Sequence, residues 1–130
     1  MRATVAVIED DPDILDLLHE VLEADGFEVV GFARPDPAAV SSQARAAATI
    51  VIDLMLPGMT GIELASRLRE SAFRDTPMIA ISASRLMLEV AIGSGLFRAA
   101  IAKPFDLSTL LHIVESGCSG GMAGMRTSLA

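Results

Sequence analysis

The sequence predicts an α/β fold, a parallel sheet with helices packed on both of its faces. Three observations carry this. Five short runs rich in Val, Ile and Ala alternate with stretches of helical periodicity. The runs are apolar at consecutive positions, as in strands buried on both faces. Three of the helical stretches open on Asp-Pro or on Thr-x-x-Glu soon after a strand ends, the punctuation of βα units.

The first run, Thr4 to Ile8, is short and β-branched and stops at Glu9, Asp10 and Asp11. Ile14, Leu15, Leu17, Leu18, Val21 and Leu22 then recur at helical spacing, with Asp11 as N-cap, Pro12 in the first helical position and Gly26 as the stop. A second strand is expected at Phe27 to Phe32. Asp36-Pro37 repeats the start and opens an alanine-rich helix to about Ala47. The third strand spans Thr49 to Leu54 and turns at Pro57-Gly58. Thr60 and Glu63 then have capping-box spacing for a helix through Arg69. Thr76 to Ser82 reads as a fourth strand and Arg85 to Ile92 as a weaker helix. Arg98 to Ala102 is a short fifth strand ended by Lys103-Pro104, and Asp106 to Glu115 a last helix. From Ser116 the chain is rich in Gly and Ser without periodicity. The expected division is a domain over residues 1–116 and a flexible tail over 117–130.

One hundred and thirty residues suit one domain with a real core. A net charge of -7 argues against a nucleic-acid surface, which is normally basic. The single cysteine, Cys118, cannot form an internal disulfide, which fits a reducing compartment. No apolar run reaches signal-peptide or membrane-span length, so the expectation is a cytoplasmic protein without membrane contact.

Open parallel sheets work beyond the carboxyl ends of their strands. There, strand one delivers Glu9 and Asp10, strand three Asp53, strand four Ser82 and strand five Lys103. Asp53 is the odd residue, an acid closing the apolar run of "IVIDLMLPGMTG". A buried, unpaired carboxylate is costly, so either something pairs with it or its strand ends in a wet cleft. Three clustered carboxylates raise one another's proton affinity, and a hard divalent cation such as Mg2+ relieves this. The backbone carbonyl of Met55 can add another oxygen ligand. Lys103 brings a mobile positive charge and Ser82 a hydroxyl donor, parts suited to holding a phosphoryl group in transfer. Asp53, at the centre, is the plausible nucleophile.

These residues resemble the receiver domain of bacterial two-component response regulators, over about Val5 to Glu115. "VAVIEDDPDILDLL", "IVIDLMLPGMTGIEL", "TPMIAISA" and "AKPF" carry the likeness, in that order and at those intervals. The resemblance implies a flavodoxin-like (βα)5 fold with strand order 2-1-3-4-5. It implies a phosphoacceptor rather than an enzyme, with Asp53 taking a phosphoryl group from a sensor histidine kinase or histidine phosphotransfer protein. Mg2+ would be held by Glu9, Asp10, Asp53 and the Met55 carbonyl. Ser82 and Lys103 would bind phosphoryl oxygens, and the Lys103-Pro104 peptide would be cis. Readout would run through protein contacts of a monomer or weak homodimer.

Ala100 stands where the family usually has an aromatic that swings inward on activation. No output domain follows, so a stand-alone receiver or an excised domain is expected. Two rival functions accompany the phosphorelay reading: an adaptor indifferent to phosphorylation, and an Asp-nucleophile phosphohydrolase. Met55 occupies the place of the second Asp that haloacid dehalogenase-type enzymes use as general acid. His19 is expected to face solvent and His112 to be structural beside apolar neighbours. Cys118 is expected in the tail without a chemical role.

Overall fold

Consecutive apolar residues in a strand send alternate side chains to opposite faces, and each face needs its own cover. In the computed structural model, which describes residues 2–119 and the backbone of 128–129, both faces are covered. The strands are β1 (Thr4–Ile8), β2 (Glu28–Phe32), β3 (Ala47–Asp53), β4 (Met78–Ser82), β5 (Ala99–Ala102) and β6 (Ser128–Leu129). The helices are α1 (Pro12–Ala24), α2 (Pro37–Gln43), α3 (Gly61–Arg69), α4 (Arg85–Ser94) and α5 (Leu107–Ser119). All strand pairs are parallel, in the order β2-β1-β3-β4-β5-β6. The expected 2-1-3-4-5 sheet is therefore present, with one short strand added outside β5.

One core cluster joins Ala6, Ile8, Ile50, Ile52 and Met78 to Val40, Leu64, Leu68 and Leu88 of α2, α3 and α4. The other joins Val5, Val7, Val51, Ile79 and Ile81 to Leu18, Leu22, Leu110 and Val114 of α1 and α5. Three helices thus cover one face and two the other. The caps formed as expected. Asp11 Oδ1 accepts from the N–H groups of Asp13 (2.9 Å) and Ile14 (3.4 Å), and Thr60 Oγ1 accepts from Glu63 N–H at 3.1 Å.

Two helix ends differ from the sequence reading by more than two residues. Helix α2 stops at Gln43, not Ala47, because Ala47 is drawn into the sheet opposite Thr4 and a short turn closes from its N–H to the Ala44 carbonyl (2.9 Å). Tertiary burial overrides alanine's helix preference there. Helix α5 runs on to Ser119, which takes residues 117–119 out of the expected tail. Gly117 is buried against Thr49, and Cys118 Sγ donates to Thr49 Oγ1 at 3.3 Å. A β-carbon at position 117 would lie 2.6 Å from that hydroxyl, so only glycine fits without a shift. Residues 120–127 and 130 of the expected tail lie outside the described residues.

At the amino end of β4 and β5, Arg69 ties the last turn of α3 to two loops. Its guanidinium donates to the carbonyls of Phe73 (2.9 Å), Arg74 (3.1 Å), Thr76 (2.7 Å) and Leu96 (2.8 Å). Burial lowers its pKa from the usual arginine value, and Asp75 offsets part of that. Among the described residues, no helix is long and apolar enough to cross a membrane.

Candidate functional site

The parallel register brings four strand ends to one edge. Glu9 N–H donates to the Phe32 carbonyl (3.0 Å), Leu54 N–H to Ile81 (3.0 Å) and Lys103 N–H to Ser82 (2.9 Å), so the residues that follow the strands converge. Lys103 Nζ lies 2.7 Å from Glu9 Oε1 and 3.0 Å from Asp53 Oδ2. Glu9 is fully buried and Asp53 only 4% exposed, while the Lys103 side chain keeps 17% of its surface open to water. The acid that closes the apolar run of β3 is thus ion-paired, which is what makes its burial tolerable.

Each remaining carboxylate oxygen of that pair has a backbone donor. Asp53 Oδ1 accepts from Met55 N–H at 3.0 Å, and Glu9 Oε2 from Asp11 N–H at 3.1 Å. Burial pushes the Glu9 carboxyl up to about 7, and Asp53 pushes the same way. The Lys103 ammonium and the Asp11 N–H pull it back only in part. Burial works against the Lys103 ammonium, but the hydrogen bonds and charges of Glu9 and Asp53 outweigh it, and its pKa is raised.

Asp10 is exposed beside them. Glu9, Asp10 and Asp53 each bring a carboxylate oxygen within 4.8 Å of the others. An all-oxygen set of three acids, one of them held toward its neutral form by crowding and burial, fits a hard divalent cation of the Mg2+ class. Asp10 also lines an open cleft of about 400 Å3 with Met55, Pro57, Thr60 and Met87. Met55 is 58% exposed. Ser82 is fully buried at the end of β4, its Oγ accepting from Ser84 N–H at 3.0 Å. The Lys103-Pro104 peptide is cis. Ala100 is buried in β5 opposite Ala80, and Phe97 belongs to the core.

Two features escaped the sequence reading. Gly61 starts α3 so close beneath β3 that a β-carbon there would collide with the Asp53 carbonyl and sit 2.7 Å from Leu54 Cα. Its N–H closes the loop onto the Leu54 carbonyl at 2.9 Å, which fixes where Asp53 ends. The Pro57-Gly58 turn gave away the loop but not this contact. The second is Cys118, a thiol in the last turn of α5 whose pKa burial raises, with the Thr49 hydroxyl pulling the other way. His19 faces solvent 3.3 Å from Glu23, as expected, whereas His112 is exposed and not packed among the apolar residues of α5.

Fold and site together define a flavodoxin-like α/β protein with an acid-and-lysine centre at its sheet edge. The response regulator receiver domain model matches residues 5–115, and the chain belongs to that family, the receiver domains of two-component signalling. It is 35% identical over 121 residues to the phosphate regulon transcriptional regulatory protein PhoB of Rhizobium meliloti, covering 89% of this chain and 52% of that protein. It is 29% identical over 93 residues to the DNA-binding response regulator MtrA of Mycolicibacterium smegmatis, covering 72% of this chain and 40% of that one. This chain thus spans about half the length of these relatives or less. Among solved structures, the receiver domain of the Francisella response regulator 1452 superposes with a TM-score of 0.79 at 27% identity, covering 91% of this chain and 98% of that one. A Clostridium thermocellum receiver domain superposes at 0.81 with 18% identity, covering 90% and 94%, a likeness of fold.

Proposed function

We propose that this receiver domain accepts a phosphoryl group on Asp53 from the phosphohistidine of a sensor kinase or histidine phosphotransfer protein, and is read out through protein contacts. The observation that supports it best is the Lys103 ammonium, 3.0 Å from Asp53 Oδ2 and 2.7 Å from Glu9 Oε1. That cation lies within reach of the charge a phosphorylated Asp53 would carry.

An Asp53 carboxylate oxygen attacks phosphorus as the phosphorus–nitrogen bond breaks. The departing imidazole nitrogen keeps the electron pair and takes a proton. The nucleophile is held in line by Met55 N–H on its other oxygen. Lys103 leaves Glu9 to meet a phosphoryl oxygen, and the Ser82 hydroxyl donates its proton toward another while Ser84 N–H keeps it oriented. Glu9, Asp10, Asp53 and the Met55 carbonyl would hold Mg2+, which when bound would supply positive charge to offset that of the phosphoryl group. Phosphorylation takes Asp53 from about -1 toward -2 and adds acceptor oxygens, which shifts the population of loop arrangements after β4 and β5.

A hydrolase reading lacks a proton donor at position 55, so a persistent phosphoprotein fits better. An adaptor reading, with partner binding indifferent to phosphorylation, draws on Ala100, whose methyl group has nothing to swing. Incubation with Mg2+ and a small acyl phosphate is expected to raise the intact mass by one phosphoryl group. The Asp53→Asn variant should show no gain. A wild-type mass that stays unchanged refutes the proposal, and a modified Asp53 with unaltered partner affinity favours the adaptor.

A further inference from the structure

We infer that the seating of β6 on β5 is coupled to the Lys103–Glu9 ion pair, so that Ser128–Leu129 acts as a removable clamp on the cation of the site. The coupling goes beyond the phosphoacceptor reading and does not depend on it. Ser128 pairs with Ala99 and Leu129 with Ala100, the first half of a four-residue strand. In the other half, Ala102 pairs with Ser82, and the next N–H, that of Lys103, donates to the Ser82 carbonyl at 2.9 Å. The clamped end and the site-bearing end of β5 are therefore two residues apart.

β5 is also held weakly by its own side chains. Its sequence is Ala-Ala-Ile-Ala, three methyl groups and one larger anchor, so it buries little apolar surface for a strand. Where such a strand lies depends on its backbone partners, β4 on one side and β6 on the other. Without β6, β5 becomes an unpaired edge. A two-residue strand that pairs with one other strand and otherwise meets chiefly α4 belongs to the low-stability end of the structure and opens locally. The seated clamp accompanies the arrangement in which Lys103 Nζ bridges Glu9 and Asp53. Motion of β5 away from that position lengthens the 2.7 Å contact first. By reciprocity, drawing Lys103 off Glu9 weakens the seat of β6.

Lys103 is the only lysine in the chain, so an amine-acylating reagent reports on it alone, with the N-terminal amine as internal reference. In the double variant Ser128→Pro/Leu129→Pro of this chain, in which neither residue of β6 can donate a backbone hydrogen bond to β5, acylation of Lys103 is expected to accelerate about fivefold or more. Amide exchange in the 97–103 peptide should rise in parallel. Circular dichroism melting should match wild type, since β6 pairs with β5 and with no other strand. Faster exchange with unchanged acylation overturns the coupling. Unchanged exchange overturns it too, whatever the lysine does, because β5 is then not the route. No phosphodonor enters the experiment, so its result is independent of whether Asp53 accepts a phosphoryl group.

Discussion

Two partly buried cations sit at opposite ends of the same sheet and are satisfied in opposite ways. Arg69, at the amino end, gives its planar fork to four neutral carbonyls between 2.7 and 3.1 Å. Lys103, at the carboxyl end, gives one compact ammonium to two carboxylates. Carbonyls at fixed points of two loops leave Arg69 nowhere else to go, and it works as a knot. An entering anion competes for the ammonium and an entering cation for the carboxylates, so the partners of Lys103 are exchangeable. The directions of proton affinity follow the same division. Burial wins at Arg69 and lowers its pKa, whereas the paired acids win at Lys103 and raise it. The two cations are told apart by the charge of what they touch, more than by how deeply they lie.

Four substitutions can break that contrast, taken from the largest effect. Lys103→Met should slow phosphorylation by a small acyl phosphate about 10²–10³-fold, the usual cost of losing one preorganised donor to developing charge. Time-resolved intact mass measures it, and a rate within a small factor of wild type would place Lys103 with Arg69. Arg69→Met should instead cost about 2–4 kcal/mol of stability in urea titration and leave the phosphorylation rate of folded protein unchanged. Gly61→Ala, which presses a methyl group onto the Asp53 carbonyl, should cost about 1–3 kcal/mol by the same titration. A neutral result would mean that the loop beneath Asp53 yields easily. The floor is set by Arg67, paired at 3.0 Å with Glu63 where both side chains are half exposed. Arg67→Ala should change stability by no more than about 0.5 kcal/mol, and a larger loss would show that even a solvated cation of α3 is structural.

The alternation of strands and helices was legible because burial on both faces leaves continuous apolar runs that nothing else in a short domain requires. Asp53 and Lys103 were legible for a related reason, since each closes such a run with a charge. Less visible was whatever depends on a distant partner. The end of α2 is decided by the pairing of Ala47 with Thr4, and the extra turn of α5 by Gly117 and Cys118 lying over Thr49. Neither leaves a periodic trace. Arg69 looks like any basic residue near a helix end, because its four acceptors lie in two separate loops. The β6 strand is too short to carry a pattern, and it is recognisable only from the β5 edge that it meets.

The strand order has a consequence for how the domain comes together as it is made. β1, the earliest of these strands to leave the ribosome, lies between β2 and β3, so a three-stranded platform can close once β3, which ends at Asp53, has emerged. Each later strand then adds to the outer margin of its immediate predecessor, β4 on β3, β5 on β4 and β6 on β5. Growth runs in one direction, the newest strand always meets a finished template, and the lysine is the last of the site's charged groups to arrive.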